Sequence, residues 1–153
     1  MTRAALLAVA ALVVVAAVAG AAAPRPLPGL PSYTAGYTQW TKLNATPIPP
    51  RRSGDAHLGT KNVYASKLPP RGSTRFPVGT VIVKEIRRPG AKFVGVLAAM
   101  RKLAGVKANN GWQMIEWSRP AAGSRFTVLA QGQLCFSCHV QVRSRDYVFT
   151  RRR

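Results

Sequence analysis

Acidic side chains are scarce in this sequence. Asp55, Glu85, Glu116 and Asp146 stand against 23 Lys and Arg, for a formal net charge of +19. The field of such a chain draws anionic partners: lipid headgroups, cell-wall polymers, acidic redox proteins or nucleic acid. No long basic stripe interleaved with aromatics is present, which argues against a nucleic-acid groove. Cysteine is rarer still. The only two, Cys135 and Cys138, lie three residues apart, so a disulfide between them would close a tiny loop and stabilise little. A disulfide-stapled scaffold is excluded, and the purpose of the pair is chemical. There is no internal repeat, and no methionine follows His139.

The N-terminus carries the one long apolar run. Arg3 precedes "AALLAVAALVVVAAVAGAAA", which has the n-region, h-region and small-residue end of a secretory signal. The run is also long enough to span a bilayer, so an uncleaved anchor is the alternative. Either way the rest of the chain lies outside the cytoplasm, periplasmic or otherwise, which makes nucleic acid the least expected partner. Residues 1–23 read as signal peptide or anchor, 24–32 ("PRPLPGLPS") as a proline-rich linker, and 33–153 as one domain. About 130 residues remain after cleavage, enough for a single modest core.

Within that domain Tyr37, Trp40 and Leu43 recur every three residues and predict a short amphipathic helix, stopped by "TPIPP". "KNVYASK" and, more clearly, "GTVIVKEI" predict strands, the latter from its β-branched run. "KFVGVLAAM" is open between strand and helix and leans to strand. "GWQMIEWS" alternates, with Trp112, Met114 and Glu116 on one face and Gln113, Ile115 and Trp117 on the other. "RFTVLAQGQ" is ambiguous. The expected fold class is α+β: a mainly antiparallel sheet with flanking short helices in a single domain.

Cys135, Cys138 and His139 spell C-x-x-C-H, the attachment pattern of c-type haem. Two thiols three apart on a turn entering a helix can add to the two vinyl groups of a haem edge, and the next residue brings its imidazole under the iron. A redox disulfide has no use for the histidine. A zinc site built from Cys135, Cys138 and His57 is a ligand short. Covalent haem c with its iron is therefore the expected cofactor. With no methionine downstream, the other iron face must be built upstream. Met100 and Met114 lie in apolar runs where core packing is the usual role, so an open face that binds a small molecule is expected. In "GTVIVKEI" alternation sets Lys84 beside Ile82 and Ile86, and Glu85 beside Val81 and Val83. One of the two charges must point to an apolar face. Lys84 either snorkels out or, desolvated, becomes a nucleophile.

The ordered set "GTVIVKE", "GWQMIEW", "CFSCH" and "RDYVFT" resembles the cytochrome P-460 family over about Trp40 to Thr150. The resemblance implies an antiparallel β fold with flanking helices, a homodimer, thioethers at Cys135 and Cys138, and His139 as the proximal ligand of the iron. It places Lys84 on the family's lysine that bonds to a haem meso carbon. Members with that cross-link oxidise hydroxylamine, whereas the related cytochromes c′-beta bind nitric oxide or carbon monoxide in an apolar pocket. Oxidation calls for a base near the open face. Glu116 is the candidate, because no Asp or Glu lies between Trp117 and Arg145, and where the family carries a distal arginine this chain has Lys61. Three functions stay open at this point: a hydroxylamine oxidoreductase, a non-catalytic nitric oxide binder, and an electron carrier that docks an acidic redox partner through its basic surface.

Overall fold

The alternating and β-branched segments assemble into one sheet. In the computed structural model, which describes residues 23–51 and 54–150, six strands run β1 (Thr41–Lys42), β2 (Thr60–Ala65), β3 (Val81–Arg87), β4 (Val96–Lys102), β5 (Trp112–Ser118) and β6 (Thr127–Gln131). Their spatial order is their chain order, and every neighbouring pair is antiparallel. The two ambiguous segments thus form β4 and β6. A meander of this kind needs no crossover connection. The segment read as signal or anchor lies outside the described residues up to position 22, and no described helix is long and apolar enough to cross a membrane.

Both faces of the sheet are covered. On one, the cross-strand row Ile82, Met100 and Met114 packs with Leu43, Val63, Phe76, Trp112 and Val148. On the other, Val83, Leu97 and Trp117 pack with Leu30, Tyr37 and Phe126. Each such side chain, fully buried, contributes about 1.5–3 kcal/mol. Leu30 belongs to the stretch read as a linker, and the Phe126 N–H donates to the Pro28 carbonyl (2.9 Å), so packing reaches back before Tyr33.

The helix predicted from Tyr37, Trp40 and Leu43 does not form. Gly36 is left-handed (φ 66°), and the chain makes separate 3-10 turns at Ser32–Thr34 and Tyr37–Gln39 before Trp40 extends into β1. The three-residue spacing has another cause. Tyr37 and Trp40 pack on one sheet face while Leu43 enters the core of the other, so the period marks a chain crossing the sheet edge.

At the other end, α1 (Gln133–His139) buries none of its side chains and is followed by a 3-10 turn at Val140–Arg145. What fixes this segment is Asp146. Its carboxylate is almost wholly buried and accepts from the Phe76 N–H (2.9 Å), the Lys102 Nζ (2.6 Å), the Asn110 Nδ2 (3.0 Å) and the Trp112 Nε1 (3.3 Å). Asp146 and Tyr147 are both left-handed (φ 53° and 66°), a backbone that costs free energy outside glycine and persists where contacts over-determine it. Asp146→Ala strands the Lys102 ammonium and is expected to lower stability by about 3–5 kcal/mol, read as a reduced urea midpoint. Asp146→Asn, which keeps an acceptor oxygen, should lose less.

Candidate functional site

Strand register decides what the sheet shows to α1. Val63, Lys84, Ala98 and Glu116 are successive cross-strand partners on β2, β3, β4 and β5, and Ala130 of β6 pairs with Glu116. Paired residues of an antiparallel sheet project to the same side. Lys84 and Glu116 therefore share one face, two strands or about 10 Å apart, with only the Ala98 methyl between them. A β-bulge falls between Glu116 and Trp117, at the kind of position where a bulge re-aims a side chain.

Facing this row is α1, and between them lies a cleft of about 270 Å³. Its sheet wall is formed by Val63, Ile82, Lys84, Ala98, Met100, Met114 and Glu116, and its helix wall by Leu134, Cys135, Cys138 and His139. All five residues that the sequence singled out, Lys84, Glu116, Cys135, Cys138 and His139, line this one space. Cys135 is half-buried and Cys138 exposed, and both are free thiols. Burial pushes the Cys135 thiol up, so it stays protonated.

His139 donates its Nδ1–H to the Tyr147 carbonyl (2.7 Å), and its ring meets Phe149 edge-on at 5.1 Å. That bond fixes the tautomer and leaves Nε2 with the lone pair a metal needs. Burial lowers the His139 pKa to about 4, so the imidazole is neutral at neutral pH. Phe136 stacks on Tyr147 at 4.9 Å, tying α1 to the segment that Asp146 anchors.

Of the two adjacent charges on β3, each finds a different answer. Glu85 points to the opposite face, where Asn62 Nδ2 (2.7 Å), Tyr37 OH (3.2 Å) and Tyr64 OH (3.4 Å) donate to it. Lys84 points into the cleft and has no hydrogen bond or ion pair among the described residues. Burial, reinforced by the positive charge of Lys61, lowers its pKa to about 8.

The sequence reading did not find His57 as a partner of this site. It lines the cleft, and its Nδ1–H donates to the Glu116 carboxylate at Oε1 (3.1 Å). Its loop is shaped by Asp55, which accepts from the His57 and Arg51 N–H groups (3.2 and 2.9 Å) and from the Lys61 Nζ (2.6 Å). Lys61 Nζ also donates to the Gly59 carbonyl (2.9 Å). Gly59 has φ 139°, and a Cβ there would lie 2.3 Å from the Arg87 carbonyl oxygen, so only glycine allows this approach to β3. Lys61 is thus occupied in an ion pair and is not among the cleft-lining residues. The only sign of His57 in the sequence was that it is one of two histidines.

The cleft suits a flat, largely apolar cofactor that is fixed at one edge. Its polar and apolar walls fit haem on the chemistry of the donor set: two thiols at helical i, i+3 spacing beside a neutral imidazole with a free nitrogen. The acid-poor lining offers no cluster of carboxylates for a hard metal ion, and no group of three or more His, Cys, Asp or Glu able to hold a bare metal ion occurs among the described residues. A search among curated proteins finds no match. A family model described as Cytochrome P460 matches residues 34–150, which takes in the whole sheet, the cleft and α1. The chain belongs to the cytochrome P460 family and is, at that level, a c-type haem protein.

Proposed function

We propose that this chain is an exported mono-haem c-type cytochrome that binds small nitrogen compounds at an open iron face and oxidises hydroxylamine there. One observation carries the reading: two thiols and an imidazole on one wall of an apolar cleft oppose a partnerless lysine and a carboxylate–imidazole pair on the other. Haem bound there would supply an iron that holds the ligand and takes up its electrons. Cys135 and Cys138 would hold the haem through thioethers, and His139, kept neutral by burial, would be the proximal ligand.

Lys84 is the residue we assign to the haem cross-link. Its lack of a partner and its lowered pKa both make a free amine accessible at pH values where an exposed lysine stays charged. Met100 and Met114 are 8% and 2% exposed and pack against each other across β4 and β5, which supports core roles and an uncapped iron. A nitric oxide binder of the c′-beta kind calls for an apolar distal surface, and the His57–Glu116 pair speaks for proton chemistry instead. Export is inferred from residues 1–23, and an acidic redox partner from the basic surface.

Expressed with haem-attachment machinery, the chain should carry haem that survives denaturation. Loaded in the presence of a two-electron oxidant, which takes up the electrons as Nζ and the meso carbon each lose a hydrogen, its haem peptide should weigh two hydrogens less than a simple double-thioether adduct and should show a broad, red-shifted ferrous band. Lys84→Ala should restore both the simple mass and an ordinary ferrous spectrum, with thioethers intact. A wild-type peptide of the simple mass would leave Lys84 without its role.

The pH dependence follows from the direction of the Lys84 shift. Below about pH 8 the amine is mostly protonated and unreactive, and above it mostly free. Between pH 7 and pH 9 the free fraction rises about tenfold. Cross-link formation in newly loaded protein, followed by the change in the ferrous band, should accelerate by a similar factor. A rate that rises about a hundredfold over this interval and levels off only above pH 10 would mean an exposed, unperturbed lysine.

A further inference from the structure

The sequence singles out Glu116 as the base of the distal face, but the hydrogen bond between Glu116 and His57 assigns the roles the other way round. Oε1 of Glu116 accepts from His57 Nδ1–H, so in the neutral ring the lone pair is on Nε2. A carboxylate that fixes a histidine tautomer also stabilises the imidazolium formed when that histidine takes up a proton. Glu116 is nearly buried at 11% side-chain exposure, whereas His57 reaches 21% and so borders both cleft and solvent. Asp55 and Lys61 hold the His57 loop from behind through a buried ion pair. A loop pinned by an ion pair and by a glycine that meets β3 presents an imidazole with little freedom to leave.

Resting on the function proposed above, we infer that His57 is the proton acceptor for the bound nitrogen compound and that Glu116 is its positioning residue. As an N–H or O–H bond of the ligand breaks, the proton passes to His57 Nε2, the bonding pair stays on the ligand, and the imidazolium is balanced by the Glu116 carboxylate. The exposed edge of the ring then returns the proton to water. The charged or titratable groups around His57 are Glu116 from β5, Lys84 from β3, Lys61 from β2, His139 from α1, and Asp55 and Arg51 from its own stretch. Among these groups Glu116 is the carboxylate that contacts the ring.

The chain has only two histidines, so its ring-nitrogen spectrum is simple to assign. The test uses the full haem-loaded chain, labelled with ¹⁵N and held in the diamagnetic ferrous carbon monoxide form. His57 should show the Nδ1–H tautomer, and the share of that tautomer should fall in Glu116→Gln. In steady-state assays with hydroxylamine, His57→Gln should lower kcat/KM about a hundredfold or more and remove the acidic limb of its pH profile. Glu116→Gln should keep that limb, displaced to lower pH, with a smaller loss.

An Nε2–H tautomer, a tautomer balance indifferent to Glu116, or a limb lost in Glu116→Gln but kept in His57→Gln would overturn the assignment. So would a low-spin six-coordinate spectrum that disappears in His57→Gln, since His57 would then be an iron ligand. The tautomer and its response to Glu116 are read whether or not hydroxylamine turns over. Absent turnover with both as expected counts against the proposed function and leaves the pairing standing.

Discussion

The carboxylate of Asp146 is the point on which the site's geometry rests. Helix α1 buries none of its own side chains, so hydrophobic burial alone does not hold it to the sheet. Its position is set instead through the chain that follows. Asp146 is bound by donors from the Phe76 backbone, Lys102, Asn110 and Trp112, and this fixes Tyr147. Tyr147 in turn supplies the carbonyl for His139 and the ring for Phe136. A buried carboxylate satisfied by this many donors is costly to disturb, because each donor is left unpaired when it goes. The C-terminal segment is thus held to the sheet by the Asp146 hydrogen bonds together with Val148 in the core.

The scarcity of acids takes on a different meaning once their positions are known. None of the four side-chain carboxylates is exposed. Asp146 anchors the C-terminal segment, Asp55 shapes the His57 loop, Glu116 meets His57, and Glu85 ties the Tyr37 turn to β2 and β3. With every acid turned inward, the described surface offers cations without interspersed anions. The positive field is therefore broad rather than patterned, and broad fields raise encounter rates with acidic partners more than they select among them.

Most of the sheet was legible because its strands are written in local terms. "GTVIVKEI" and "GWQMIEWS" carry period-two alternation and β-branched or aromatic residues, and the faces assigned to Trp112, Met114 and Glu116 are those they occupy. The C-x-x-C-H motif was legible for the same reason, as its chemistry lies within five residues. The failure at Tyr37, Trp40 and Leu43 has a physical source: hydrophobic period reports burial, and a segment that crosses from one core to the other satisfies the same spacing without a helix. His57 was illegible on different grounds. Its place depends on the local Asp55–Lys61 ion pair and, at long range, on the contact of Gly59 with Arg87 and on a strand register that brings Glu116 to meet it.

One cause links the chemistry of the cleft. Removing a cation from water disfavours its charged form, so burial takes His139 to about 4 and Lys84 to about 8. His139 is neutral at neutral pH, and Lys84 gives up its proton more readily than an exposed lysine, so each comes nearer to the lone pair that a metal ligand or a nucleophile requires. The same burial pushes the Cys135 thiol up and keeps it from becoming a charged thiolate. A lining of valine, isoleucine, methionine and alanine thus prepares three different side chains by acting on all of them in the same way, towards neutrality. Against that background Glu116 stands apart, because a carboxylate beside an imidazole supplies a local site where a proton can be held. The division follows from the register of β3, β4 and β5. On the function proposed above, the apolar part of the cleft supplies the donors and the His57 edge handles protons.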